Sequence, residues 1–170
     1  NRIRVTLAGA DSDGNDFLDA VDPGGYFYDT HDGRIVPGGS IAVTGPGAVT
    51  MIQDGASGQY IFVTDGTPGR YTIAVTPPPG YTIDPRRTPA GASFDPTGGP
   101  NPTTLGTGED AANPGYLTDA DAGANPFYYT FELQAGDPVI LNNNFPLTRF
   151  DQLGDFVWED VDGDGIQDVG

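Results

Sequence analysis

The sequence predicts an all-β protein built as a sandwich of short antiparallel strands, and three observations carry that expectation. Glycine (26) and proline (16) together approach a quarter of the 170 residues, a composition that breaks helices and favours strands joined by turns. Tracts such as GRYTIAVT alternate apolar with polar positions, Tyr71, Ile73 and Val75 falling on one face as a half-buried strand requires. Gly, Pro or Asp stands at nearly every break between tracts. A chain of this length buries a real core as one domain without covalent staples, and with no cysteine it has none to use.

In order along the chain, the tract RVTL is a short strand that leads into DSDGNDFLDAVD, residues 11–22. GYFYD (25–29) and RIVPG (34–38) flank the turn THDG, and SIAVTG, AVTMIQ, GQYIFVT and GRYTIAVT follow as further strands. Pro77 to Pro79 end the last of these, because proline cannot donate to a ladder. From about Pro85 to Asn125 periodicity vanishes for some forty residues, long for a connection inside a compact domain, so a functional loop or a lid packed on one side of the sheet is expected. PFYYTFEL and DPVILNNNFPLTRF read as the last two strands, after which GDFVWED leads into DVDGDGIQDVG, residues 160–170. The expected organisation is a strand and junction over 1–23, a sandwich over 24–150 carrying the long loop 85–125, and the start of a second junction over 151–170.

The formal net charge is −17, from 24 acidic against 7 basic residues, which disfavours nucleic acid and anionic membrane surfaces as partners. Only Glu109, Glu132 and Glu159 are glutamates, so the acidity is almost all aspartate, the short carboxylate that suits turns and hard-cation loops. Lysine is absent. No stretch has the length and apolarity of a membrane span, and an opening on Asn1 reads as a mature segment of a longer chain.

Both junctions have the spacing of a calcium loop, in which oxygens at positions 1, 3 and 5 curl about a cation roughly 2.4 Å away while position 7 offers a carbonyl. In the first, Asp11, Asp13, Asn15, Phe17, Asp19 and Asp22 take positions 1, 3, 5, 7, 9 and 12, with Asp16 where a glycine usually makes the sharp turn. In the second, Asp160, Asp162, Asp164, Ile166 and Asp168 take positions 1 to 9 and Gly165 supplies the turn. Position 12 would fall at residue 171, where a carboxylate is expected in the parent sequence. The tracts before both loops are β-prone and a turn-rich strand tract follows the first, so an EF-hand is not expected; Ca2+ would stiffen a joint instead.

Other candidates are weaker. His31, the single histidine, sits in the hairpin turn DTHDG, which explains it without chemistry. Nothing resembles a nucleophile elbow or a histidine zinc signature, and no carboxylate pair is marked by an apolar pocket, so an enzyme is not expected. Asp119 and Asp121, with Glu109 and Asp110, are a candidate third cation site, and Tyr116, Tyr128 and Tyr129 are candidates for stacking on a sugar; solvated loop and packed strand are the plainer expectations for the two groups.

The stretch LGDFVWEDVDGDGIQD resembles the opening of the calcium-binding B-type repeats of serine-aspartate-repeat surface adhesins, and DSDGNDFLDAVD resembles a thrombospondin type 3 calcium repeat. GYFYDTHDGRIVPGGSIAVTGPG through SGQYIFVTDGTPGRYTIAVTPPPGY is similar to collagen-adhesin B-type and carboxypeptidase-regulatory-like modules. These resemblances imply an Ig-like or transthyretin-like antiparallel sandwich with calcium loops at both ends. They also imply a calcium-stiffened stalk, spacer or assembly unit of a bacterial surface protein or filament, partnered by neighbouring copies or domains. Collagen-adhesin B-type modules often carry a Lys to Asn isopeptide bond, which a chain without lysine does not form. The alternative is an adhesin or carbohydrate-binding domain that takes a glycan or protein ligand on the loop 85–125.

Overall fold

The computed structural model describes residues 23–96, 105–118 and 126–150. They form eight strands and no α-helix: β1 Gly24–Asp29, β2 Ser40–Thr44, β3 Val49–Asp54, β4 Gln59–Thr64, β5 Gly69–Thr76, β6 Tyr81–Ile83, β7 Thr130–Leu133 and β8 Phe145–Arg149. Five of them make one sheet in the order β3-β4-β1-β8-β6, and three make a second in the order β2-β5-β7. The expected all-β sandwich is therefore what the chain forms.

Alternation decides which side chains face inward. In β4, Tyr60, Phe62 and Thr64 are buried while Gln59, Ile61 and Val63 are only partly covered, and Tyr71 and Ile73 of β5 and Phe131 and Leu133 of β7 answer them from the other sheet. The centre is aromatic. Phe145 lies 6.0 Å from Phe27, 5.5 Å from Tyr60, 5.9 Å from Phe127 and 5.4 Å from Tyr129, ring centre to ring centre, spacings at which tilted rings attract beyond their buried area. Tyr60 brings a hydroxyl into this core, and it donates to the Asn143 carbonyl at 2.6 Å, so the group is not stranded.

The aspartate bias has a direct structural outlet. Asp29, Asp32, Asp54, Asp65, Asp84 and Asp110 each accept a hydrogen bond from the backbone N–H two residues on, a turn that the one-carbon side chain closes and glutamate does not.

Four features differ from the expectations. First, β1 and β8 pair in parallel, with Phe27 beside Phe145, Tyr28 beside Pro146 and Asp29 beside Leu147; no hairpin joins these two strands, so nothing local forces them antiparallel. Second, RIVPG makes only isolated bridges, Tyr28 with Ile35 and Arg34 with Tyr116, before the chain turns away at Gly38. Third, only Phe145–Arg149 of the last tract is a strand, preceded by an extended run that buries Ile140, Asn143 and Asn144. Fourth, Tyr81–Ile83 forms a short strand beyond the prolines that end β5.

The long segment is not simply a loop laid outside. Phe94 pairs with Phe131 at the edge of β7, its N–H donating to Thr130 O and its carbonyl accepting from Glu132 N. Leu105 enters the main core, and Leu117 buries Tyr28 on the outer face of the five-stranded sheet. The described parts of the segment are thus fixed at three places, the edge of β7, the core and the outer face of the five-stranded sheet.

Candidate functional site

The two calcium loops, Asp11, Asp13, Asn15, Phe17, Asp19 and Asp22 with Asp160, Asp162, Asp164, Ile166 and Asp168, lie outside the described residues, as do Asp119 and Asp121. Glu109 and Asp110 are described, and each serves its own turn: Glu109 Oε1 accepts from Gly115 N and Asp110 Oδ1 from Ala112 N, both at 2.8 Å. Among the described residues no three His, Cys, Asp or Glu side chains converge on a metal-sized position. Tyr128 packs its ring on Phe94 and Tyr129 stacks on Phe145, so both are committed to the margin of the core.

A polar cluster that sequence reasoning missed lies where β1 and β8 end and the short β6 runs back antiparallel to β8. Asp29 closes β1 and Asp84 follows β6 just before Pro85, whose missing N–H ends the strand. Both carboxylates are 1 % exposed. Asp84 Oδ1 accepts from Arg86 N and Nε, each at 2.9 Å, while its Oδ2 accepts from Arg86 Nη2 at 2.8 Å and Thr30 Oγ1 at 2.7 Å. The Arg86 guanidinium holds this carboxyl well below the usual carboxylate range, outweighing the burial that opposes it, and Thr30 adds to the effect.

Asp29 is satisfied in the same way, by His31 N at 2.9 Å and by Arg149 Nε at 2.9 Å. Arg149 lies over the Tyr81 ring and also donates to its hydroxyl at 3.1 Å, and the Tyr81 hydroxyl followed by Asp29 raises its pKa. Around these groups opens a cleft of about 580 Å3 that His31, Pro85 and Thr148 also line. Every buried carboxylate oxygen here already accepts a hydrogen bond, so the cluster ties the ends of β1 and β8 to the segment that follows β6. The clue in the sequence was scarcity: two of only seven cations stand at the ends of tracts that finish beside aspartates.

On the outer face of the five-stranded sheet, two adjoining hollows of about 290 and 330 Å3 share Tyr26 and Gln59. Ile61, Val139, Leu141 and Asn142 line the first, and Ile35, Pro37 and Glu109 the second. Gln59 Nε2 donates to the Tyr26 hydroxyl at 3.2 Å, and burial, followed by the Glu109 charge, raises the Tyr26 pKa. Val139 and Leu141 are about half exposed. The middle of the long segment reaches this concavity through Glu109.

A third feature is the contact between β1 and the segment from Ile140 to Leu147. Gly24 N donates to Ile140 O at 2.8 Å and Gly24 O accepts from Asn143 N at 3.1 Å, a parallel exchange carrying one extra residue. Asn142 takes up that residue at φ 60°, a conformation asparagine tolerates better than most. Asn144 Oδ1 then accepts from Tyr26 N at 2.9 Å, its amide donates to Thr107 O, and Asn143 holds Tyr128 N and O with its side chain, which here imitates a strand. Gly25 is bare because a Cβ would meet Asn143 O at 2.3 Å. Beyond the strand pairing of Phe27 to Asp29 with Phe145 to Leu147, Thr30 N donates to Leu147 O, so the two segments run side by side from Gly24 to Thr30.

No family model, no curated protein and no solved structure matches this chain.

Proposed function

We propose that this protein is a calcium-stiffened structural module of an extracellular bacterial surface protein or filament, serving as stalk, spacer or assembly unit. The observation that carries the reading is direction. Because β1 and β8 are parallel neighbours, Pro23 and Phe150 lie at opposite ends of the sheet, about 30 Å apart at some 3.3 Å per strand residue. A module crossed end to end adds length to an array, whereas one whose chain enters and leaves on the same side hangs from it. The calcium loops read from the sequence flank this span, one before Pro23 and one after Phe150.

Extracellular calcium loops commonly bind at about 10⁻⁴ to 10⁻³ M. Titration calorimetry of the intact chain should therefore show calcium uptake in that range, and Asp162→Asn should weaken the second loop while sparing the first. Small-angle scattering should show a shorter, stiffer particle with millimolar calcium than with chelator, and magnesium should substitute poorly because it demands a tighter octahedral shell. No heat of binding, together with identical scattering in chelator and calcium, would remove the calcium reading.

A second reading, an adhesin or carbohydrate-binding domain, is favoured by the paired hollows around Tyr26 and Gln59, where Glu109 brings in the long segment. A glycan array read with wild-type protein and with Leu141→Ala tests it, since that exposed side chain borders the hollow without supporting the core.

A further inference from the structure

We infer that the contact between β1 and the segment from Ile140 to Arg149 is a mechanical clamp, a device that resists tension applied along the module. The inference rests on the end-to-end path used for the spacer reading, but it concerns the sandwich alone and requires no calcium. Tension entering at Pro23 pulls β1 towards one end, and tension leaving at Phe150 pulls β8 towards the other. The two strands slide along their shared ladder, so its bonds are strained together instead of opening one after another.

Four kinds of contact would have to fail at nearly the same moment. At the leading end these are the Gly24 bonds to Ile140 and Asn143 and the bond from Tyr26 N to Asn144 Oδ1. In the middle is the parallel register of Phe27 to Asp29 with Phe145 to Leu147, over which Phe27 and Phe145 pack their rings. At the trailing end are Thr30 N to Leu147 O and the ion pair of Asp29 with Arg149. Asp84 adds a cross-brace, because Thr30 donates to it from the end of β1 while Asp84 N donates to Pro146 O in β8. Both buried aspartates of the polar cluster thus act on the same pair of strands. Asn142 places a bulge in the sliding segment, an irregularity that must be dragged past Gly24 before the register can slip.

The test is single-molecule force measurement on the full chain in two pulling directions. Handles at the two chain ends load the ladder in shear. A handle at His31→Cys, paired with the chain's last residue, pulls the trailing ends of β1 and β8 apart and peels the same bonds singly; the chain has no other cysteine, and His31 is exposed. Ala56→Cys, in the exposed turn between β3 and β4, gives a second handle that loads the opposite edge of the sheet. A melting temperature equal to wild type shows that each variant is folded before it is pulled.

At one fixed force the end-to-end geometry should survive at least about tenfold longer than either alternative, since breaking even two bonds together in place of one raises the barrier by that much. The difference should persist in chelator. Equal lifetimes in all three geometries, or a shorter one end to end, overturn the clamp. A difference that vanishes with chelator also overturns it, by placing the resistance in the calcium loops. Loss of the calcium response with the directional difference intact would instead sink the calcium reading and leave the clamp.

Discussion

Replacing Asp84 by asparagine probes the polar cluster with almost no change of shape. The amide keeps one oxygen for Arg86 N, but it loses the charge that pairs with the Arg86 guanidinium and turns an N–H2 towards both Arg86 Nη2 and Thr30 Oγ1, which had donated to Oδ2. Charge-assisted hydrogen bonds contribute about 1.5–3 kcal/mol each. The Arg86 side chain is 72 % exposed and returns to water when released, so the loss is discounted to about 2 kcal/mol in total. For a domain of this size that is a fall of about 6–8 °C in melting temperature. Thermal unfolding at a series of pH values provides the assay. The folded pKa of Asp84 is depressed, so its contribution is complete above the unfolded value of about 4 and drains away as pH falls through the lower folded value. The gap between wild type and Asp84→Asn should therefore be constant from pH 7 to about 5 and close progressively below about 4. A gap under about 0.5 kcal/mol at neutral pH, or one that closes near pH 6, would refute the assignment of the charge to this pair.

Other outcomes follow from the packing. Phe145→Ala, which empties the centre of the aromatic core, should cost about 3–5 kcal/mol in denaturant unfolding. Gly25→Ala should cost about 1–3 kcal/mol despite adding a single methyl, because Asn143 O occupies the space the methyl needs. Asn142→Gly should be neutral to mildly stabilising in the same assay, since glycine adopts φ 60° without strain; a clear loss would show that the Asn142 side chain, and not its backbone, matters.

Much of the sandwich was legible because its strands announce themselves locally. The alternation of Tyr60, Phe62 and Thr64, or of Tyr71 and Ile73, states both the strand and its buried face. What stayed hidden depends on partners distant in sequence. Nothing in GYFYD or FPLTR says that these two will lie side by side in parallel, and nothing in NNN says that two asparagines will be buried as stand-ins for backbone. The polar cluster was obscured for the same reason: Asp29, Asp84 and Arg149 come from three strands that meet only in the folded sheet. Aspartate was expected to gather in turns and cation loops, and its turn role is visible in six places.

The parallel run of β1 and β8 also fixes how far the folded span from Pro23 to Phe150 falls short of the length of its chain. Folded, the path from Pro23 to Phe150 spans about 30 Å; drawn out at about 3.4 Å per residue, the same stretch of chain measures about 430 Å. If the proposed clamp yields under a pull, the unit would release some 400 Å of chain. With neither lysine nor cysteine in the chain, no side-chain isopeptide bond or disulfide shortens that extension. In the proposed array, that reserve would let the string lengthen unit by unit instead of parting, with the pairing of β1 and β8 setting the force at which each unit gives way.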